Sequence, residues 1–192
     1  MSLCRLLGVE LTVIPTDILS IDGIAANPPD RCYICKSAML GAIKNRADAD
    51  GYAVIIDGTN ASDDVSDRPG MRAVRELGIL SPLRICGMTK PEIRKRLRGA
   101  GLNEWDKPSY SCLATRLSQG TEITPDRLKR IEISENILRG MGLSDFRLRT
   151  DGDTARLQVK AEQAQTASEL LSEIRQSLSH YYREIQLDEK YR

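Results

Sequence analysis

The spacing of apolar residues changes period repeatedly along the chain, and each change marks an element. Leu3 to Leu7 reads as the end of a helix stopped at Gly8, and Val9 to Ile14 as a β-rich stretch. A Pro-rich loop at 27–35 leads into Lys36 to Ala49, a predicted helix with Met39, Ile43 and Ala47 on one face. Tyr52 to Ile56 is short, apolar and rich in β-branched residues, which predicts a buried parallel strand ending in Asp57-Gly58-Thr59-Asn60. Met71 to Leu77 predicts a short helix, and Ile79 to Ile85 an extended segment interrupted by Pro82. Thr89 and Glu92 have capping-box spacing ahead of a helix carrying Ile93 and Leu97, which Gly99 and Gly101 stop.

Beyond Ser118-Gln119-Gly120 the pattern changes character. Thr124 suits an N-cap and Pro125 a first helical position, and Leu128, Ile131, Leu138 and Met141 then follow one face as far as Gly140 or Gly142. Phe146 to Thr150 and Thr154 to Lys160 alternate with period two around Asp151-Gly152, the signature of a hairpin. Ala164, Ala167, Leu171, Ile174 and Leu178 line a further helix, and Glu184 to Asp188 alternates as a last strand. The expected architecture is α/β: a partial Rossmann-like parallel sheet over 1–118, then a small α+β domain over 119–192 built as helix, strand, strand, helix, strand. An α/β unit normally opens with a strand. A chain opening on half a helix therefore reads as lacking its first strand and loop.

Composition narrows the class. The 192 residues are 41% apolar and 29% charged, which permits a real core, and 28 Lys plus Arg against 27 Asp plus Glu leave a formal charge of +1. No global field favours nucleic acid or an anionic membrane, so any polyanion site must be local. No apolar run is long enough to span a bilayer, and the N-terminus lacks signal-peptide order, so the cytoplasm is the expected compartment.

Five cysteines at irregular spacing make a poor disulfide framework. Cys4 and Cys86 lie in apolar contexts and read as small buried hydrophobes. Cys32 and Cys35 form a Cys-x-x-Cys at a loop-to-helix junction, where the helix dipole, Arg31 and Lys36 favour thiolate. Cys112 lies in a polar, cationic loop with Ser109, Ser111, Thr115 and Arg116. By itself this set is compatible with zinc, a redox dithiol or an iron-sulfur cluster. Zinc is poorly supplied with a fourth ligand, since the one histidine, His180, lies late in a helix of the second domain. A dithiol leaves the third cysteine unexplained, whereas three thiolates can hold a four-iron cluster with one iron open.

Two cationic surfaces also stand out. Arg94, Lys95, Arg96 and Arg98 share a helix without interleaved aromatics and read as a solvated face. In the hairpin, if Phe146, Leu148, Leu157 and Val159 face the helices, strand alternation sends Arg147, Arg149, Arg156, Gln158 and Lys160 to the other side. Four like charges on one sheet face are unfavourable unless solvent, an acidic partner or an anion separates them. A solvated face is one reading, and a phosphate or carboxylate site of guanidiniums the other.

Taken together, Asn27-Pro-Pro-Asp-Arg-Cys-Tyr-Ile-Cys-Lys36, Asp57-Gly-Thr-Asn60, Arg68-Pro-Gly70, Trp105-Asp-Lys-Pro108 and Ser111-Cys-Leu-Ala-Thr-Arg116 resemble the LarE family. Its members are ATP-dependent sulfur transferases of the PP-loop (adenine nucleotide alpha-hydrolase-like) superfamily. The resemblance continues through Phe146 to Val159 and so covers nearly the whole chain. It implies a part in making the nickel-pincer nucleotide cofactor of lactate racemase, in which a carboxylate of a pyridinium biscarboxylate mononucleotide is adenylylated and then receives sulfur. One branch uses the cysteine matching Cys112 as sacrificial donor, leaving dehydroalanine. Another holds a [4Fe-4S] cluster on cysteines matching Cys32, Cys35 and Cys112; this chain has all three, so the cluster version is expected here. Arg147 and Arg149 match family arginines that hold substrate or phosphate, and Asp57 and Asn60 are expected on the nucleotide side.

The resemblance fails at one place. Family members use ATP and Mg²⁺ on a Ser-Gly-Gly-x-Asp-Ser loop that cradles pyrophosphate, and nothing before Cys32 supplies it. The chain is therefore expected to be truncated, split or completed by a separate PP-loop chain or a homo-oligomer, and inactive alone. Two other functions compete: a tRNA-thiolating PP-loop enzyme, disfavoured by the near-neutral charge, and a cluster-binding scaffold that works only in a complex.

Overall fold

The computed structural model describes residues 2–64 and 69–188. The chain divides into two compact units, Met1–Ile24 with Asp30–Lys90, and Ala25–Pro29 with Pro91–Arg192. Residues 91–118, expected in the first domain, thus belong to the second unit, and so does the five-residue strap Ala25–Pro29. The strap is sewn in by its backbone. Gly120 N–H donates to Asn27 C=O at 3.0 Å and Ile123 N–H to Ala25 C=O at 2.7 Å, while the Asn27 side-chain amide donates to Ser118 C=O at 2.7 Å. Asn27 adopts φ +53°, a left-handed conformation that Asn tolerates better than most residues.

In the first unit, α1 (Ser2–Leu7) ends at Gly8, whose φ of +64° suits glycine. No strand follows. Val9, Leu11 and Val13 are exposed and without regular structure, because a strand needs a neighbour to pair with. Helix α2 (Arg31–Ala49) begins five residues earlier than its apolar face suggests and packs on α3 (Pro69–Glu76). Met71, Val74 and Ile79 form a small core with Leu40, Ile55 and Leu77 against it. Of the run Arg68-Pro69-Gly70, Pro69 and Gly70 open α3 two residues before the helix expected from Met71, and Arg68 lies outside the described residues.

The buried strand expected at Tyr52 to Ile56 is not present as one. Among the described residues, the parallel sheet of this unit amounts to a single bridge between Ile56 and Leu80, with Tyr52, Val54 and Ile56 each more than 60% exposed. A run patterned for two-sided burial here has one backbone neighbour and an open flank. Pro82 does not interrupt an extended segment either; it starts the single turn α4 (Pro82–Ile85), as proline suits a first helical position. Cys86 caps that turn and is exposed, contrary to expectation, and Cys4 is half-buried.

Helix α5 (Lys90–Gly99) starts one residue after Thr89, and its first N–H donates to the Ser62 hydroxyl at 2.9 Å. Its cations are not simply solvated: Arg94 donates to Lys107 C=O at 2.6 Å, and the Arg98 guanidinium lies 5.0 Å from the Trp105 ring centroid. Together they hold the 3-10 turn Asn103–Asp106 on the helix.

The second unit carries the larger core. Helix α6 (Pro125–Gly140) is capped as expected, with Arg127 N–H donating to the Thr124 hydroxyl at 3.2 Å. Strands β1 (Arg147–Asp151) and β2 (Thr154–Gln158) pair antiparallel, Leu148 opposite Leu157 and Arg149 opposite Arg156. The expected single helix after them breaks at Leu170 into α7 (Ala164–Glu169) and α8 (Leu171–Leu178), and β3 (Glu184–Leu187) then pairs parallel to β2. The sheet order is β1-β2-β3. Leu148, Leu157, Ile174, Leu178 and Ile185 are buried between sheet and helices. Among the described residues, no helix is long and apolar enough to cross a membrane.

The two apolar populations should respond differently to truncation. Leu157→Ala, at a site with 0% exposure, should lose about 2–5 kcal/mol of unfolding free energy. Val54→Ala, at 62% exposure, should stay within about 0.5 kcal/mol. Urea denaturation followed by circular dichroism compares the two.

Candidate active site

The Cys112 loop owes its form to one buried arginine. Residues Leu113–Arg116 make a single 3-10 turn, and Arg116 turns inward at 1% side-chain exposure to meet Glu135 of α6 at 0%. The pairing is bidentate, Nε to Oε1 at 2.7 Å and Nη2 to Oε2 at 3.2 Å. The remaining Nη1 donates to Ser111 Oγ at 2.6 Å, Ser111 C=O at 3.1 Å, Thr115 Oγ1 at 3.1 Å and Cys112 C=O at 3.3 Å. Thr115 Oγ1 also donates to Cys112 C=O at 2.7 Å. The loop backbone is thereby pinned on both sides of Cys112, whose side chain is exposed.

Glu135 is itself saturated. Besides Arg116 it accepts from Arg139 Nη2 at 3.2 Å and from Leu148 N–H in β1 at 3.2 Å. A carboxylate with its acceptor sites filled can be buried without a large penalty. Tyr110 lies over the pair's edge, its ring 5.3 Å from the Arg116 guanidinium and 5.1 Å from that of Arg139. Neither Glu135 nor Tyr110 is singled out by the sequence pattern. The available signal is a carboxylate between Ile131 and Leu138 on the apolar stripe of α6, where a charge requires a partner.

Loop and sheet are joined directly. Leu117 forms a parallel bridge with Thr150, and Arg149 Nη1 donates to Thr115 C=O at 3.4 Å. Arg147 and Arg149 therefore share the second unit with Cys112, beside its loop. Burial first, then the positive charges of Arg116 and Arg149, push the pKa of Arg147 below its ordinary value, with Glu135 opposing. Its buried Nε has no hydrogen-bond partner. Lys160 does not join this face as expected, because it is tied to Asp145 at 2.6 Å.

In the first unit α2 places Cys32 and Cys35 one turn apart on one side of its first turn and a half, Cys32 exposed and Cys35 half-buried. Arg31 Nη2 donates to Cys32 Sγ at 3.4 Å. A cavity of about 250 Å³ opens beside them, lined by Cys32, Lys36, Thr59, Asp63, Pro69, Gly70 and Met71. At Gly70 a Cβ would meet Lys36 Cδ at 3.1 Å and Cys32 O at 3.4 Å, so α3 approaches α2 closely at this wall. Asp57 and Asn60 shape the adjoining loop: Asp57 accepts from the Thr59 hydroxyl at 2.6 Å and the Ser81 hydroxyl at 2.7 Å, and Asn60 Oδ1 from Ser62 N–H at 3.0 Å. Burial pushes the Asp57 carboxyl up, but its Thr59 and Ser81 hydrogen bonds, helped by Lys36, outweigh this and hold it below its ordinary value.

Cys32 and Cys35 belong to the first unit and Cys112 to the second. Within either unit, among the described residues, no three His, Cys, Asp or Glu side chains gather as a metal-ion group.

Comparison with known proteins places this arrangement. No protein-family model matches the chain. Over 159 residues, 83% of its length, it is 31% identical to the pyridinium-3,5-bisthiocarboxylic acid mononucleotide synthase of Lactiplantibacillus plantarum. The chain is thus similar to that synthase over most of its own length. Uncharacterized proteins of Synechocystis sp. and Methanocaldococcus jannaschii are similar to it as well, at 36% identity over 83% of the chain and 32% over 79%. The chain spans 59%, 58% and 60% of the Synechocystis, Lactiplantibacillus and Methanocaldococcus proteins, about three-fifths of each.

Two outcomes are expected of these contacts. Arg116→Leu leaves a carboxylate in an apolar setting and should lose about 3 kcal/mol or more, while raising the rate at which iodoacetamide alkylates Cys112 as the loop loosens. Asp57, with its folded pKa below the unfolded one, contributes stability that is present above the ordinary carboxylate range and lost as pH falls through the lower folded value. An acid titration of unfolding free energy should therefore show a slope that Asp57→Asn removes.

Proposed function

We propose that this chain carries the sulfur-insertion half of a reaction converting an activated carboxylate of a pyridinium mononucleotide to a thiocarboxylate. The observation that carries the reading is the pinned Cys112 loop, bridged to a sheet face bearing Arg147 and Arg149. A thiol and a set of phosphate-directed guanidiniums held by one frame suit a nucleotide whose reacting carboxyl must meet sulfur. The Lactiplantibacillus relative is named as the synthase of a pyridinium bisthiocarboxylic acid mononucleotide.

The roles divide by chemistry. Arg147 and Arg149 hold the phosphate or a carboxylate of the substrate, with bidentate hydrogen bonds that a lysine could not reproduce. Arg116 and Glu135 fix the loop so that Cys112 points outward. Asp57 and Asn60 shape the loop beside the Cys32 cavity, on the side assigned to the nucleotide.

The donor set suits a [4Fe-4S] cluster held by Cys32, Cys35 and Cys112. All three cysteines are thiols outside any disulfide, and α2 presents the first two at a spacing that lets both face one ligand. Bound there, such a cluster with one iron free of protein thiolate would supply a sulfide for attack on the activated carbonyl. The parallel sheet of the PP-loop fold belongs to the same reading, supported by the parallel Ile56–Leu80 bridge. Activation with ATP and Mg²⁺ needs a phosphate-cradling loop, and Ser-Gly-Gly-x-Asp-Ser does not occur within the 192 residues. The assay therefore supplies the acyl-adenylate directly.

Anaerobic purification should give a brown protein containing iron, with colour and iron lost in Cys32→Ala, Cys35→Ala and Cys112→Ala. Incubation with the acyl-adenylate and sulfide should release AMP and thiocarboxylate while Cys112 keeps its mass. A colourless, iron-free protein whose Cys112 loses the mass of hydrogen sulfide during turnover would defeat the cluster and make Cys112 the donor.

A further inference from the structure

The register of the hairpin sets two guanidiniums directly against one another, and no role is yet attached to the second. Arg149 in β1 and Arg156 in β2 are Cα partners across the antiparallel ladder. Both side chains are on the open face of the sheet, since Leu148, Thr150, Ala155 and Leu157 on either side of them are buried. Opposed residues on one face have Cβ atoms about 5 Å apart, and like charges there destabilise the pair.

The surroundings do little to relieve the repulsion. Among the described residues Arg156 has no carboxylate partner, and Arg149 has only the 3.4 Å contact to Thr115 C=O. Arg147, the next residue along the same face, keeps a buried Nε without an acceptor and carries a lowered pKa caused by burial and by its cationic neighbours. The acids on these strands lie away from the Arg149–Arg156 pair: Glu184 accepts from Gln186 at 2.6 Å, Asp151 lies opposite Thr154, and Asp188 follows β3 with its N–H donating to Leu157 C=O at 2.8 Å. Arg156 is opposite Gln186 on its other side, and Arg147 opposite Gln158. Arg149 and Arg156 thus face each other with Gln186 beside them and, among the described residues, no ion pair to either, while Arg147 lies next along the face with the Glu135 carboxylate behind it.

We propose that Arg156 closes a guanidinium clamp with Arg149, for which Arg147 supplies the inner donor, and that the clamp takes a dianionic phosphate monoester. A phosphate with two charges and several acceptor oxygens satisfies opposed planar forks in a way that a single carboxylate does not. The face is also small. Strands of five residues extend roughly 17 Å, enough for one mononucleotide and too short to neutralise a run of nucleic-acid phosphates. The assignment rests on the sulfur-transfer reading for the identity of the nucleotide, though not for the anion. It makes Arg156 a specificity-determining residue that separates a mononucleotide from the corresponding riboside, while Arg149 links the held phosphate to the Cys112 loop.

Isothermal titration of the 192-residue protein tests this with inorganic phosphate, nicotinic acid mononucleotide and nicotinic acid riboside as probes. Arg156→Gln should weaken the mononucleotide and phosphate about tenfold or more, as loss of a charge-assisted pair implies, and leave riboside binding unchanged. Arg156→Lys should recover only part of the loss, and circular dichroism should show the fold intact because Arg156 is exposed. If Arg149→Gln weakens the mononucleotide but Arg156→Gln does not, the clamp is overturned and the sulfur-transfer reading stands. If phosphate binds in an Arg156-dependent way but the mononucleotide binds no tighter than phosphate, the clamp stands and the nucleotide substrate falls. Tight, steeply salt-dependent binding of tRNA that displaces phosphate would overturn a small-molecule clamp.

Discussion

The buried pair of Arg116 and Glu135 is the interaction on which the second unit's chemistry depends. Removing two charges from water is expensive, and their mutual attraction compensates only when the remaining donors and acceptors are also used. Here they are. Glu135 accepts from Arg116, Arg139 and the β1 backbone, and Arg116 spends its last nitrogen on the carbonyls and hydroxyls around Cys112. One ion pair therefore fastens three things that sequence keeps apart: a helix, a strand and the loop that bears a thiol. Apolar side chains could fill the same volume, but they could not orient carbonyl groups.

The two units differ in how far their apolar patterns are satisfied. In the second, sheet and helices close over a continuous core. In the first, the packing of α2 on α3 covers a few residues, and Tyr52, Val54 and Ile56 face outward on a segment with one backbone neighbour. An unpaired apolar edge favours association with other strands. The cavity beside Cys32 nevertheless forms within this unit, because helix α2, the Asp57–Asp63 loop and the glycine wall at Gly70 meet there.

Much of the second unit is legible in the sequence because its signals are local. Thr124 and Pro125 announce α6, and period-two alternation around Asp151-Gly152 gives the hairpin with its arginines outward, as found. What escaped depended on partners far along the chain. The 52–56 run has the composition of a buried strand, but burial comes from neighbours that composition cannot guarantee. Lys160 alternates with the hairpin cations yet pairs with Asp145. Ala164, Ala167, Leu171, Ile174 and Leu178 share the apolar face of one long helix by spacing, and the backbone breaks at Leu170 all the same. For the site, the residue types of the Cys112 loop are visible, whereas the inward turn of Arg116 is not; only the misplaced charge at Glu135 hints at it.

The strap at Ala25–Pro29 bears on how such a protein can be divided. The chain leaves the first unit after Ile24, serves the second for five residues, returns at Asp30 and crosses again after Lys90. The units therefore have no single junction. A cut between Lys90 and Pro91 leaves the strap, with its hydrogen bonds from Gly120 and Ile123, on the wrong fragment. Neither unit is one continuous stretch of sequence, so any single cut between them separates the strap from its hydrogen-bond partners or divides the first unit.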